Sequence, residues 1–147
     1  MAKKDITANN RISEDVSYDI LTSRRKLIFV FFKEEKIMLR GNIYMAQLHP
    51  IQDNSVQGGY RPVIIVQNDI GNIHSPNVQV IPLTSQKKKY LPVHVPIHGN
   101  GLIRDSIALT EQLTTISKAS LQFLIGKLDD DTMQKINESI LIQLGLA

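Results

Sequence analysis

The sequence predicts a small, mainly-β barrel or sandwich that carries helices and ends in one. Two patterns predict it. Short strand-like runs recur from Arg40 to Leu128, separated by turns rich in Gly, Pro, Asn and Asp. Asp129-Asp130-Asp131 then opens a segment with apolar residues at helical spacing. The length bounds the answer. The chain has 147 residues, 42% of them hydrophobic and 21% charged, which suits one domain with a real core and is too apolar for disorder.

From the N-terminal side, Arg40–Leu48 sets Ile43 and Met45 against Asn42 and Tyr44, the alternation of a half-buried strand. His49–Tyr60 reads as a polar loop ending in Gly58-Gly59. Pro62–Val66 (PVIIV) is a continuous apolar run, a strand buried on both faces, with Pro62 suited to its first position. Asn68-Asp69-Ile70-Gly71-Asn72 is turn chemistry. Val78–Leu83 is a further strand, bent or edge-like at Pro82, and Lys87-Lys88-Lys89 follows it. Leu91–Ile97 alternates again, and His98-Gly99-Asn100-Gly101 predicts a hairpin turn from its Asn-Gly pair. Ser106–Leu113 predicts a strand, Ser117 a cap for a short helix over Lys118–Phe123, and Leu124–Leu128 a last short strand. In the terminal helix, acids favour the first turn, and Met133, Ile136, Ile140, Leu141 and Leu144 mark one core face.

Residues 1–37 differ from this pattern. They are polar and charged up to Lys26, then apolar over Leu27–Phe32, then charged again, with neither Gly nor Pro. The apolar run reads equally as a strand or a buried helical turn. It is too short to span a bilayer or to form a signal-peptide core, so neither export nor membrane insertion is expected, and the cytoplasm is the expected location. Lys33-Glu34-Glu35-Lys36-Ile37-Met38 can be encoded by a purine-rich stretch a few bases before an ATG, as a translated ribosome-binding site would be. Residues 1–37 therefore read either as translated upstream sequence, with Met38 the native start, or as a genuine extension of a domain over 38–147.

The absence of Cys excludes disulfides, thiolate catalysis and sulfur-ligated zinc. The formal charge of +3 permits nucleic-acid binding without arguing for it, so an RNA site would have to come from local placement of charge. No P-loop, GxSxG or HExxH is present. His94 and His98 cannot share one zinc, because Pro92 and Pro96 exclude a helix and four strand residues separate them by about 13 Å. They read as packing or solvated histidines.

What remains is a polar set near strand ends. In Gln57-Gly58-Gly59-Tyr60-Arg61-Pro62 the glycines let backbone approach a ligand, and Arg61 falls where the loop meets the barrel. Thr84-Ser85 ends a strand ahead of the lysine run. Glu111-Gln112 interrupts the apolar pattern of its strand, so one of the two faces inward or into a groove. Taken alone, each of these is an ordinary rim or turn residue.

RGNIYMAQLHP, QGGYRPVIIVQNDIGN, SPNVQVIPLTS and RDSIALTEQLTTISKASL, read in that order, closely resemble the MazF/PemK toxins of type II toxin–antitoxin systems, in particular those of Gram-positive bacteria. The resemblance covers residues 38–147. It implies an SH3-like β-barrel of the CcdB/PemK type with a C-terminal α-helix, a homodimer, and cleavage of single-stranded RNA at short sequences without metal or cofactor. It also implies an antitoxin whose acidic, extended tail fills the RNA groove. By the same resemblance Arg61 and Thr84 are catalytic, and Gln57, Gly58, Gly59, Asn68, Ser85 and Gln112 contact RNA. Where many relatives carry an acid just before the glycine loop, assigned as general base, this chain has Val56. His49 and Glu111 are the alternatives, a histidine being suited because it ordinarily titrates near neutrality. Two other readings are a CcdB-like inhibitor of a protein target and a degenerate toxin that binds without cutting.

Overall fold

The computed structural model describes residues 37–49 and 55–147. The apolar run at 27–32, and the rest of residues 1–36, lie outside the described residues. In chain order the elements are β1 (Asn42–Leu48), β2 (Gly59–Ile65), α1 (Asp69–His74), β3 (Asn77–Thr84), β4 (His94–Ile97), β5 (Ser106–Leu109), a 3₁₀ turn (Thr110–Gln112), β6 (Thr114–Ser117), a second 3₁₀ turn (Lys118–Ser120), β7 (Leu121–Lys127) and α2 (Asp130–Gln143).

The strands form one antiparallel sheet in the order β4-β5-β3-β2-β1-β7, with β6 also on β3. β3 is central, not an edge. Its residues 77–80 pair with β6 and its residues 83–84 with β5, while Val80–Pro82 also pair with β2. Pro82 falls at the changeover, where its missing N–H interrupts neither the β6 ladder nor the β5 ladder. Pro62 lies inside β2 instead of opening it. It pairs with Met45, and the ladder to β3 begins only at Val63, so only one side of β2 is engaged there.

Both faces of the sheet are covered. Ile43, Ile64 and Ile81 point into one cluster, and Tyr44, Ala46, Val63, Ile65 and Val80 into another. The half-buried alternation expected of β1 fails at its start, where Asn42, Ile43 and Tyr44 are all buried, and holds from Tyr44 on, with Ala46 and Leu48 buried, Met45 half-buried and Gln47 exposed. α2 closes the first cluster with Ile136, flanked by Met133 and Ile140. Its core face is shorter than the sequence predicts, since Leu141 and Leu144 are exposed. Leu141 is five residues beyond Ile136, about 140° around the helix, and Leu144 lies past the last turn. Asp129 caps this helix, its Oδ1 accepting from Thr132 N at 2.8 Å.

No ladder joins the outer strands β4 and β7, so strand pairing does not close the sheet into a barrel. The β4–β5 loop bridges the gap instead. Gly99, Asn100 and Gly101 all have positive φ, as the Asn-Gly signal predicts. This lets the loop backbone press against β7: a Cβ added to Gly126 would lie 2.0 Å from Asn100 O, and one added to Gly101 2.3 Å from Ile125 O. Asn100 Oδ1 also accepts from Asp129 N at 3.1 Å, tying the loop to the start of α2.

Three further expectations change. Asn68–Asn72 is no simple turn. Asn68 Oδ1 accepts from Gly71 N and caps α1. The strand predicted over Ser106–Leu113 stops at Leu109, so Glu111 and Gln112 stand on a 3₁₀ turn. Ser117 caps a single 3₁₀ turn, after which Leu121–Phe123 belongs to β7 and not to a helix.

Candidate active site

The loop before β2 is held from two sides. Gly59 has φ +75°, a left-handed conformation that turns the chain into β2. From the β2 side, Arg61 Nε donates to Gly58 O at 2.9 Å, and Arg61 Nη1 donates to Gln57 Oε1. From the 3₁₀ turn, Gln112 Oε1 accepts from Gln57 N at 2.7 Å, while Gln112 Nε2 donates to Ser55 O at 3.1 Å. Residues 55 positions apart in sequence thus pin one short loop. Two of the five guanidinium N–H groups of Arg61 hold the loop, and three remain for a ligand. Partial burial draws the Arg61 pKa down from its ordinary value. An arginine starts so far above neutrality that it keeps its charge.

Thr84 closes β3 and is buried. Its Oγ1 accepts from Gln86 N at 3.2 Å, which leaves the hydroxyl proton to be donated elsewhere. Val63 pairs with Pro82. Carried two residues past its last pair, that register would set Arg61 opposite Thr84, the even offset keeping both on one face of the sheet. Arg61 and Thr84 thus lie two residues beyond the last paired positions of adjacent strands, Val63 of β2 and Pro82 of β3.

The other expected site residues divide into groups. His49, Gln57 and Gln112 line one groove of about 180 Å³, together with Val56 and Pro82. Ser85 lines a different, larger groove of about 570 Å³, with Met45, Pro62, Arg104 and Phe123. Asn68 lies beyond the far end of β2, and the four-residue strand step from Arg61 to Ile65 alone spans about 13 Å. The structure does not bring Asn68 to Arg61, and its amide oxygen is engaged in the cap of α1.

Glu111 turns away from Gln112. Its Oε1 lies 2.9 Å from His94 Nε2, with the imidazole buried and the carboxylate partly so. The remaining polar atoms, His94 Nδ1 and Glu111 Oε2, are buried with no hydrogen-bond partner among the described residues. In the sequence His94 stands out only beside His98. The strand register is the signal that finds its partner: His94 pairs with Leu109, two residues before Glu111. His98 is exposed and lies 3.1 Å from Asp105.

The same 3₁₀ turn is anchored from below. Ser139 Oγ donates to Ile136 O at 2.8 Å, so its single proton is committed and Thr110 must be the donor in the 2.8 Å Thr110 Oγ1–Ser139 Oγ bond. Both hydroxyls are buried. α2 thereby fixes the turn whose next residues, Glu111 and Gln112, reach β4 and the loop.

A family model described as the PemK-like, MazF-like toxin of type II toxin–antitoxin systems matches residues 39–144. The chain belongs to this family. Over 113 residues this PemK/MazF member is 46% identical to a Bacillus subtilis (strain 168) protein named endoribonuclease EndoA, covering 75% of this chain and 97% of that one. A mycobacterial endoribonuclease solved in complex with its cognate antitoxin superposes with a TM-score of 0.62 at 26% identity, over 77% of this chain and 98% of that one. MazF from Deinococcus radiodurans shares the fold, with a TM-score of 0.66 at 20% identity over 76% and 99% of the two chains. In this PemK/MazF domain, Val56, at the position where the resemblance leads one to look for an acid, is exposed beside the groove.

Proposed function

We propose that this chain is the toxin of a type II toxin–antitoxin pair and an endoribonuclease that cuts single-stranded RNA by attack of a ribose 2′-hydroxyl, with residues 38–147 as the nuclease domain. What supports the reading is that Arg61 and Thr84 lie two residues beyond the Val63–Pro82 pair of adjacent strands, with Arg61 bonded to a loop that Gln112 also holds.

In the reaction the 2′-oxygen bonds to the neighbouring phosphorus and the bond to the 5′-oxygen of the next nucleotide breaks. The products are a 2′,3′-cyclic phosphate and a 5′-hydroxyl. One proton leaves the 2′-hydroxyl and one is delivered to the departing oxygen. Arg61 forks its remaining N–H groups onto the phosphate oxygens as negative charge builds, and Thr84 donates a further bond. Gln57, Gly58, Gly59, Ser85 and Gln112 take the flanking nucleotides. His49 serves as base in preference to Glu111, because it lines the groove with Gln57 and Gln112 whereas Glu111 is engaged by His94. The chain acts in the cytoplasm as a homodimer and is neutralised by an antitoxin whose acidic tail competes for the groove lined by Gln57 and Gln112. Among the described residues no helix is long and apolar enough to cross a membrane.

The test is incubation of RNA with the protein in EDTA, followed by end-mapping. Discrete fragments with cyclic phosphate ends are expected. Arg61→Ala and Thr84→Ala should each slow cutting by roughly 10² or more while keeping the fold. Intact RNA with the wild-type chain, or equal cutting by Arg61→Ala, overturns the assignment. Binding without cutting would mark a degenerate toxin, and neither would point to a protein target.

A further inference from the structure

Charge in this molecule is distributed unevenly. From residue 38 onward the chain carries nine Lys and Arg against eight Asp and Glu, yet residues 84–104 hold four of the cations, Lys87, Lys88, Lys89 and Arg104, and no acid. Four of the eight acids, Asp129, Asp130, Asp131 and Glu138, lie at and along α2, and Asp105 directly follows the basic stretch. Lys87–Leu91 lies on the exposed connection between β3 and β4, directly after Thr84. Tyr90 is 76% exposed, an arrangement that no core requirement explains. Three residues of chain span at most about 11 Å, so Lys87 is no further than that from Thr84, Cα to Cα, and Lys89 no more than about 18 Å.

We propose that Lys87, Lys88, Lys89 and Tyr90 form a single-strand tracking surface that holds RNA flanking the scissile phosphate, the lysines contacting backbone phosphates and the tyrosine ring stacking on a base. The inference rests on the proposed nuclease function and extends it beyond Arg61 and the loop it holds. Local cations supply what a nearly neutral domain lacks in bulk charge. An exposed aromatic among them adds a π-face that accepts any base, so the surface contributes affinity without sequence preference.

The test measures binding of a randomised single-stranded RNA, 2′-O-methylated throughout so that it is not cut, as a function of salt. The proteins compared are the full chain, its K87Q/K88Q/K89Q variant and Tyr90→Ala. Each phosphate contact on a single strand contributes about −0.7 to the slope of log affinity against log salt. The triple variant should therefore have a slope shallower by about 2. Between about 50 and 200 mM salt, the wild type should lose on the order of tenfold more affinity than the variant does. Tyr90→Ala should weaken binding by about tenfold with the slope unchanged. An unchanged slope in the triple variant overturns the surface, as does absence of binding by the wild type. Loss of affinity for a polyglutamate peptide with the RNA slope intact also overturns it, reassigning the patch to an acidic protein partner. Cutting of unmodified RNA by the wild type is read separately. Cutting with an unchanged slope rejects the surface and leaves the nuclease standing, whereas binding without cutting does the reverse.

Discussion

Replacing Arg61 by lysine keeps a positive charge and removes the fork, which separates two ways in which this residue could act. In the structure the guanidinium does two jobs at once. Its Nε and one Nη hold Gly58 O and Gln57 Oε1, which leaves its other N–H groups for a ligand. A lysine ammonium has three donors on a single nitrogen and cannot reach both the loop and a phosphate in the same geometry. Arg61→Lys should therefore lose at least one phosphate bond that arginine makes in the transition state. A preorganised donor of this kind is worth about 3 kcal/mol, or roughly 10²-fold in kcat. The freed loop keeps its two bonds to Gln112, so the fold should survive with a stability loss of about 1–2 kcal/mol. The assay is steady-state cleavage of a fluorogenic RNA oligomer, with kcat and KM resolved and thermal denaturation run in parallel. Arg61→Lys cutting within about threefold of wild type would refute the reasoning, because charge alone would then suffice and the geometry of the fork would be irrelevant.

Three other outcomes follow from the packing. Gly126→Ala must push a Cβ into Asn100 O, backbone against backbone, and should cost about 2 kcal/mol or more, a fall in Tm on the order of 10 °C in a scanning melt. Thr110→Val leaves the buried Ser139 oxygen without its donor and should lower stability by about 1–2 kcal/mol by urea unfolding, with a reduced kcat if the 3₁₀ turn positions Gln112. Hydrogen bonding from Thr132, backbone N–H and then hydroxyl, holds the Asp129 carboxyl below the usual carboxylate range. Its contribution to stability is therefore present above the unfolded-state value and lost as pH falls through the folded one. Asp129→Asn, which can still cap α2, should flatten the acid limb of a stability–pH profile, and an unchanged limb would show that other carboxylates dominate it.

Much of the fold was legible in the sequence because strand runs and turn chemistry are local signals. The run Pro62–Val66 announced β2, and the Asn100-Gly101 pair announced a turn with positive φ. What was not legible depended on partners. The alternation of β1 could not reveal that both faces would be covered at its start, since that is decided by β7, β6 and α2. Ile107 and Ala108 looked like the start of a longer strand, yet the ladder to β4 ends at Leu109 and releases Thr110–Gln112 into a turn. α1 escaped notice because six residues including Gly71 make a poor helix on propensity, and it is Asn68 and the Asn72 side chain that sustain it. In the candidate site, Arg61 and Gln57 are four apart and readable together. The Gln112–Gln57 bond and the His94–Glu111 contact join segments that only the sheet brings near each other.

The meeting of Gly101 with Gly126 has a consequence for how this chain can change over generations. A side chain that collides with another side chain can be accommodated by a compensating substitution next door. Here each glycine faces a peptide carbonyl, which every residue type carries, so no replacement elsewhere can make room. The two positions are bound to remain hydrogen-bearing for as long as the loop spans the gap between the outer strands, while Ile103, exposed on the same loop, is at liberty to drift.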